Sequence, residues 1–351
     1  MKIEPFLDEE GKSALKAVRS VIAPLWDPRG DSEWRPPELD QRITWALSKA
    51  KSKYVVAILA DKKDSWASRK AGELGRNYPD SIVWTTPGEA QSSYPGVECA
   101  PHATSRVIKP GVSIGHGRFR AGTLGCIVEV HGEGRDYKCA VTAAHVVALN
   151  DSVELGNLIY SPGKPEIGSA LTRGDAIGRL QNTVDLIPFY STDPSAGEDI
   201  YQSIDIALVN IEECRRPIPD FNQVPHPANP KQKVLRIKSV IKEIDLPNIL
   251  LKNVYKFGRT TGFTEGILVH VMIMHRQLKL PNNKFYLYRE LLAVKSTKNG
   301  KPFSLHGDSG AMVYTAKGQL VGFVIGADNE ITLCCAAERS LEAMKAHVRG
   351  T

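Results

Sequence analysis

Three short segments carry residue types that could do nucleophilic chemistry together. In AVTAAHVV an apolar run ends in two alanines and then His145, and small neighbours let an imidazole lie close to the backbone and face a cleft. In SIDIALVNI, Asp205 opens an apolar run containing Ile206, Leu208 and Ile211. A carboxylate beside a buried strand must be hydrogen-bonded, and an imidazole N–H is one suitable partner. In HGDSGAMVY the glycines around Asp308 and Ser309 let the chain turn sharply and expose the serine hydroxyl. The same turn can aim the amides of Gly307 and Ser309 at one point, where an oxyanion could be held. Each segment has an ordinary alternative. A lone histidine is often a surface or hydrogen-bonded core residue, and Asp, Ser and Gly are common turn residues.

Jointly the three fill complementary roles. A serine hydroxyl is a poor nucleophile at neutral pH; it needs a base to take its proton and a carboxylate to orient that base and stabilise the imidazolium. The chain order His145, Asp205, Ser309 differs from the Asp, His, Ser order of subtilisin-type enzymes and the Ser, Asp, His order of α/β-hydrolases.

The surrounding pattern predicts the elements that must hold these residues. From about Arg106 onward, short β-type runs such as GTLGCIVEV, KCAVTAAHV, IDIALVNI, GILVHVMIM, KFYLYRELLAV, AMVYT and VGFVIGA alternate with Gly, Pro and Asn, which suggests a barrel or sandwich. Ala337 to Val348 reads as a terminal helix with Leu341, Met344 and Val348 along one face. Ahead of these strands, helical spacing appears from Glu9 to Leu25 and again from Glu38 to Ala50. A buried strand (Tyr54 to Ala60), a polar helix (Asp64 to Asn77) and a short strand (Ser81 to Thr85) follow, giving a small α/β unit. Thr85 to Ala103, rich in Pro, Gly and Ser, reads as a linker. With 351 residues and about 150 per domain, two domains are expected, residues 1–98 and 99–351.

From Arg106 to the end the chain resembles the chymotrypsin/trypsin-like serine peptidases, through TAAH at Thr142 to His145, DIAL at Asp205 to Leu208 and GDSG at Gly307 to Gly310. GRTTGFTEG (Gly258 to Gly266) is similar to a stretch that opens the second barrel in bacterial members. The resemblance implies a mainly β fold of two six-stranded antiparallel barrels with a C-terminal helix, here preceded by the small α/β domain. It implies a serine endopeptidase with His145, Asp205 and Ser309 as the catalytic residues, and backbone amides of Gly307 and Ser309 as the oxyanion hole. VGFVIGA is similar to the strand that pairs with substrate, so Ile325, Gly326 and Ala327, with Phe303 and Ser304, are the expected substrate pocket. Phe303 stands where trypsin carries an aspartate, which disfavours Lys/Arg preference and favours either a medium-sized or apolar side chain or, through Ser304 and His306, a polar one. In the family, the residue matching Asp308 commonly pairs with an amino terminus released by cleavage; the nearest candidate here is Val107 and Ile108 after Arg106.

Other signals narrow the reading. Hydrophobic residues make up 42%, charged 24% and aromatic 7%, an ordinary globular balance that excludes collagen-like and wholly disordered classes. No apolar run approaches the roughly 18 residues of a spanning helix, so no membrane partner is expected. MKIEPFLDEEGK has acidic residues where a secretory signal would be apolar. Six cysteines lack metal or framework spacing, and Val146 and Leu305 stand where extracellular relatives often carry disulfide cysteines. Both features point to a cytoplasmic, reducing location. The net charge of +6 is small, and the lysines and arginines from Lys231 to Lys256 read as a solvated β face, so no nucleic-acid partner is expected. Adjacent Cys334 and Cys335 read as buried small hydrophobes. His270, His275 and His306 lack metal-like company, so neither metal nor cofactor is implied. The expected partners are a protein or peptide substrate and a regulatory protein met through the N-terminal domain. Two other functions compete: a latent or inactive protease-fold binding module, and a protease that cleaves only itself.

Overall fold

The computed structural model describes residues 3–26, 43–61, 65–86, 90–91, 104–116, 121–132, 134–149, 153–163, 175–188, 201–274, 276–328 and 330–348. Cys99 and His275 fall outside them.

Helix α1 (Glu9–Trp26) starts where the Asp8 carboxylate accepts the Gly11 amide at 2.9 Å, satisfying an N-terminal donor that has no partner inside the helix. Strands β1 (Ile43–Ala50) and β2 (Lys53–Asp61) form an antiparallel hairpin, and helix α2 (Ser65–Asn77) leads to β3 (Ile82–Thr86), parallel to β2. The second helix expected from Glu38 to Ala50 is therefore corrected: residues 43–50 are strand, and 38–42 lie outside the described residues. ITWALSKA carries β-branched and aromatic residues at its head, and β1 is held on both edges, by β2 and by Leu47 opposite Val271. That pairing outweighs the helical spacing. The linker reading is also corrected in part. Ala90–Gln91 form a short strand, β4, inside a larger sheet.

The first half of the β region comprises β5 (Ser113–His116), β6 (Ala121–Thr123), β7 (Ile127–His131), β8 (Asp136–Thr142), β9 (Leu158–Ser161), β10 (Asp175–Thr183) and β12 (Ala207–Asn210). A one-turn helix α3 (Ala144–Val147) follows β8, and β11 (Tyr201–Gln202) precedes β12. These strands wrap as a half-barrel in the order β7–β8–β12–β10–β9–β5–β6. The connection to the second half carries β13 (Gln223–Pro225), β14 (Val234–Arg236) and β15 (Ser239–Val240). The second half comprises β16 (Asn253–Gly258), β17 (Gly262–Ile273), β18 (Arg276–Lys279), β19 (Phe285–Tyr288), β20 (Leu291–Ser296), β21 (Met312–Tyr314), β22 (Gln319–Ala327) and β23 (Ile331–Ala336). Within it β16, β17, β20, β23, β22 and β21 each pair with the next, and β21 returns to β16, closing a six-stranded antiparallel barrel.

Helix α4 (Ala337–Ala343) is shorter than expected. Lys345 takes a left-handed φ of 51°, which ends helical geometry, and β24 (Ala346–Val348) pairs with β7. The chain end thus joins the first half. The architecture is mainly β, a half-barrel joined to a closed six-stranded barrel with a C-terminal helix, in keeping with the expected double barrel. Ile3, Leu15 and Val18 of the N-terminal unit share one apolar cluster with Leu268, Val271 and Val294 of the closed barrel.

Candidate active site

Register places the first two residues. Strand β8 pairs with β12 so that Thr142 faces Ala207. His145, three residues beyond Thr142, and Asp205, two before Ala207, therefore emerge from the same end of the ladder. His145 is 3% and Asp205 1% exposed. Asp205 Oδ2 accepts from His145 Nδ1 at 2.6 Å, and Oδ1 accepts the His145 amide at 3.0 Å. An ionised carboxylate has no proton to give, so Nδ1 carries the hydrogen and Nε2 is left as the basic nitrogen. Burial alone would raise the Asp205 carboxyl; the His145 charge and hydrogen bonds, together with the Tyr288 hydroxyl, outweigh it and hold the carboxyl below its usual value.

Ser309 is brought to the same place by backbone bonds. Its carbonyl accepts the Thr123 amide at 2.8 Å, and Thr123 Oγ1 donates to the Gly307 carbonyl at 2.8 Å. A side chain on Gly122 would collide with both Val146 and the Ser309 carbonyl, and one on Gly310 would strike Thr142 and the Ala143 amide. The serine turn therefore lies against the residues on either side of His145. Ser309 is 5% exposed. Gly307 has φ +92°, the left-handed region, and a Cβ there would strike Arg259 and Thr260, so this corner needs glycine. Within the turn, the amides of Asp308, Gly310 and Ala311 bond to carbonyls of Leu305, Val324 and Asp308. Among the described residues the amides of Gly307 and Ser309 make no backbone hydrogen bond, as donors kept for a ligand would require.

The turn is braced by a residue that the sequence reading misassigned. Lys256, read there as part of a solvated face, is fully buried, with its Nζ 3.1 Å from Asp308 Oδ2. Asp308 Oδ1 accepts the amides of Thr260 (2.9 Å) and Thr261 (3.2 Å); Oδ2 also accepts Thr261 Oγ1 (2.7 Å) and the Leu305 amide (3.0 Å). Burial pushes this carboxyl up, but Lys256 and these donors outweigh it and the net direction is down. Gly258 lies so close to Asp308 that a Cβ would overlap the carboxylate. Val107 and Ile108 take no part: Ile108 is buried in the first half and donates to the Pro217 carbonyl. An aromatic neighbour, GRTTG downstream and a lysine inside an apolar strand, VYKFGRTTG, were the available signal for Lys256.

Tyr288 was also missed, and no local signal in KFYLYRELL marks it. Its hydroxyl donates to Asp205 Oδ2 at 3.0 Å.

All five expected pocket residues are buried. The Phe303 ring packs in the closed barrel's core with Lys256 Nζ 5.6 Å from its centroid, and the Ser304 hydroxyl bonds to Thr332 at 2.7 Å. Ile325, Gly326 and Ala327 continue β22 past the serine turn. The edge of β22 at Ala327 pairs antiparallel with Gln91 of β4. Cys334 and Cys335 are buried and free, as are Cys126 and Cys139. Among the described residues, no group of three His, Cys, Asp or Glu side chains could hold a metal ion. No helix among them is long and apolar enough to cross a membrane.

Neither a family model nor a curated protein matches the sequence. Among solved structures, Thermobifida fusca Protease A aligns with a TM-score of 0.44 and 15% identity over 70% of this chain and 100% of its own. Cellulomonas bogoriensis chymotrypsin aligns at 0.42 and 17% over 70% of this chain and 100% of its own. A Nocardiopsis protease aligns at 0.44 and 15% over 69% of this chain and 99% of its own. None of these lends this chain an activity or a substrate.

Proposed function

We propose that this chain is a serine endopeptidase in which Ser309 is the nucleophile, His145 the base and then the acid, and Asp205 the group that orients the base. The observation carrying this reading is the buried 2.6 Å His145–Asp205 bond, which leaves Nε2 basic beside a serine turn with two unbonded amides. Ser309 Oγ adds to the peptide carbonyl as its proton passes to Nε2, and the negative oxygen is held by the amides of Gly307 and Ser309. Collapse breaks the C–N bond; the amine leaves with the proton from His145, and the acyl group stays on Ser309. Water, deprotonated by His145, then releases the acid and restores the hydroxyl. The Lys256–Asp308 pair supports assembly of the turn without a cleavage that frees an amino terminus. With Phe303 in place of a carboxylate and packed in the barrel core, no acidic group is supplied there to select Lys or Arg before the cut. The free cysteines Cys126, Cys139, Cys214, Cys334 and Cys335 favour a reducing, cytoplasmic setting.

Profiling the purified chain on a peptide library tests this directly. Ser309→Ala should lower turnover by several orders of magnitude, to the level left by binding and the oxyanion amides. Peptide cleavage unchanged in that variant would overturn the assignment.

One observation favours latency as a second reading. Val324 of β22 is bonded to the serine turn, and by the resemblance an extended peptide would pair along β22 beyond it. Gln91 pairs there already. Residues 1–98 then control access and carry the surface for a regulatory protein. Deleting them would expose the shared apolar cluster, so Gln91→Pro, which removes a ladder donor, is the cleaner test. Extended peptides should be cleaved faster by this variant while a small serine-directed probe reacts at the same rate; equal peptide cleavage by both proteins would reject self-occupation.

A further inference from the structure

We propose that Tyr288 is a positioning residue for the His145–Asp205 pair, its phenol completing the hydrogen-bond set that fixes the carboxylate. The inference rests on the peptidase reading above. A carboxylate offers about four lone-pair directions. Three are filled on Asp205: the His145 amide on Oδ1 at 3.0 Å, and His145 Nδ1 at 2.6 Å with the Tyr288 hydroxyl at 3.0 Å on Oδ2. Oδ2 therefore joins the imidazole to a second donor. With the phenol removed, the only contact left on Oδ2 would be the ring it is meant to orient.

The backbone fixes the direction from which the phenol arrives. Tyr288 ends β19 opposite Gln202 of β11, and the Arg289 amide donates to the Gln202 carbonyl at 2.8 Å. Three residues after Gln202 the chain reaches Asp205, so the strand pair that presents the tyrosine also presents its acceptor. Tyr288 is fully buried, which leaves its ring little freedom. The titratable groups facing Asp205 are His145 from α3, Tyr288 from β19 and the Cys335 thiol from β23. Burial pushes both the Tyr288 hydroxyl and the Cys335 thiol well above their usual ranges, so each stays protonated while the histidine works. The phenol is thus a permanent donor.

The test is the pH dependence of the rate at which a fluorophosphonate probe labels the full chain, measured with the thermal midpoint. Tyr288→Phe keeps the ring and deletes the donor. Its labelling should slow about tenfold, the size of one hydrogen bond to an ionised group. Losing a donor to the carboxylate raises its pKa, so the acidic limb should move toward higher pH. Replacing Tyr288 by 3-fluorotyrosine strengthens the donor and should move the limb the other way. A purely structural tyrosine would lower the midpoint of Tyr288→Phe and leave rate and limb alone, and that result overturns the inference. If Tyr288→Phe does not fold, an unmoved limb in the fluorotyrosine protein overturns it. A wild-type chain that is never labelled would instead defeat the peptidase reading, and this inference with it.

Discussion

Two buried acid–base pairs sit within one site and are built for opposite purposes. In the first half, Asp205 holds the His145 ring through Nδ1, leaving Nε2 out of the pair. In the second, Asp308 meets Lys256, and both carboxylate oxygens are filled by the lysine, two threonines and backbone amides. Both carboxyls are held below their usual range, yet the partners differ. Histidine exchanges a proton near neutral pH, whereas a lysine ammonium paired with a carboxylate holds position. The first pair is suited to moving a proton, the second to locking the turn that presents the serine and the two amides. A buried charge beside a candidate site can serve the backbone rather than the chemistry.

The two pairs can be separated by experiment. Asp205→Asn keeps the shape of the pair but favours the wrong imidazole tautomer; activity should fall about ten-thousand-fold with little change in the thermal midpoint. A loss no larger than that of a surface variant would show that Asp205 does not orient the base. Lys256→Met should instead lower stability and activity together. It leaves the Asp308 charge uncompensated in the interior, a cost of about 3–5 kcal/mol, read by chemical denaturation. Adding Asp308→Asn should recover part of that stability without restoring activity. Full activity in Lys256→Met would deny the lock.

Gly258→Ala should cost about 1–3 kcal/mol and slow peptide cleavage, because the added methyl overlaps Asp308. pH gives a gentler probe of both pairs. A carboxyl with a lowered folded pKa binds fewer protons folded than unfolded, so its stabilisation is present above the unfolded value near ~3.9 and lost as pH falls through the folded value. Denaturation midpoints should therefore drop only below about pH 4, and in Lys256→Met the drop should begin at higher pH. A wild-type midpoint independent of pH between about 2 and 5 would contradict both lowered carboxyls. The smallest effect concerns thiols. Burial pushes the Cys139 thiol up to about 12, so iodoacetamide should leave it unmodified and peptide cleavage unchanged.

Residues whose role depends on their immediate neighbours could be read before folding. The alanines before His145, the apolar run after Asp205 and the glycines around Ser309 each state a local requirement; His145 and Asp205 are hydrogen-bonded, and the serine turn lies against residues flanking His145. The N-terminal helix from Glu9 and the strand at Tyr54 were legible for the same reason, since their apolar spacing survives folding. Lys256 and Tyr288 were not, because each owes its role to a partner distant in the chain: Asp308 in one case, Asp205 83 residues earlier in the other. β1 failed in the same way. Its spacing fits a helix, and only pairing with β2 and β17 makes it a strand. The tail from Ala346 likewise becomes a strand because β7 offers it an edge.

The central claim is that His145 and Asp205 activate Ser309. It is tested most directly by treating the full chain, Ser309→Ala and His145→Ala with a fluorophosphonate and locating the adduct by mass spectrometry. The account predicts one adduct, on Ser309, in the wild-type chain and essentially none in either variant. Labelling of Ser309 that persists at the wild-type rate without His145, or a folded wild-type chain that takes up no probe, would contradict it.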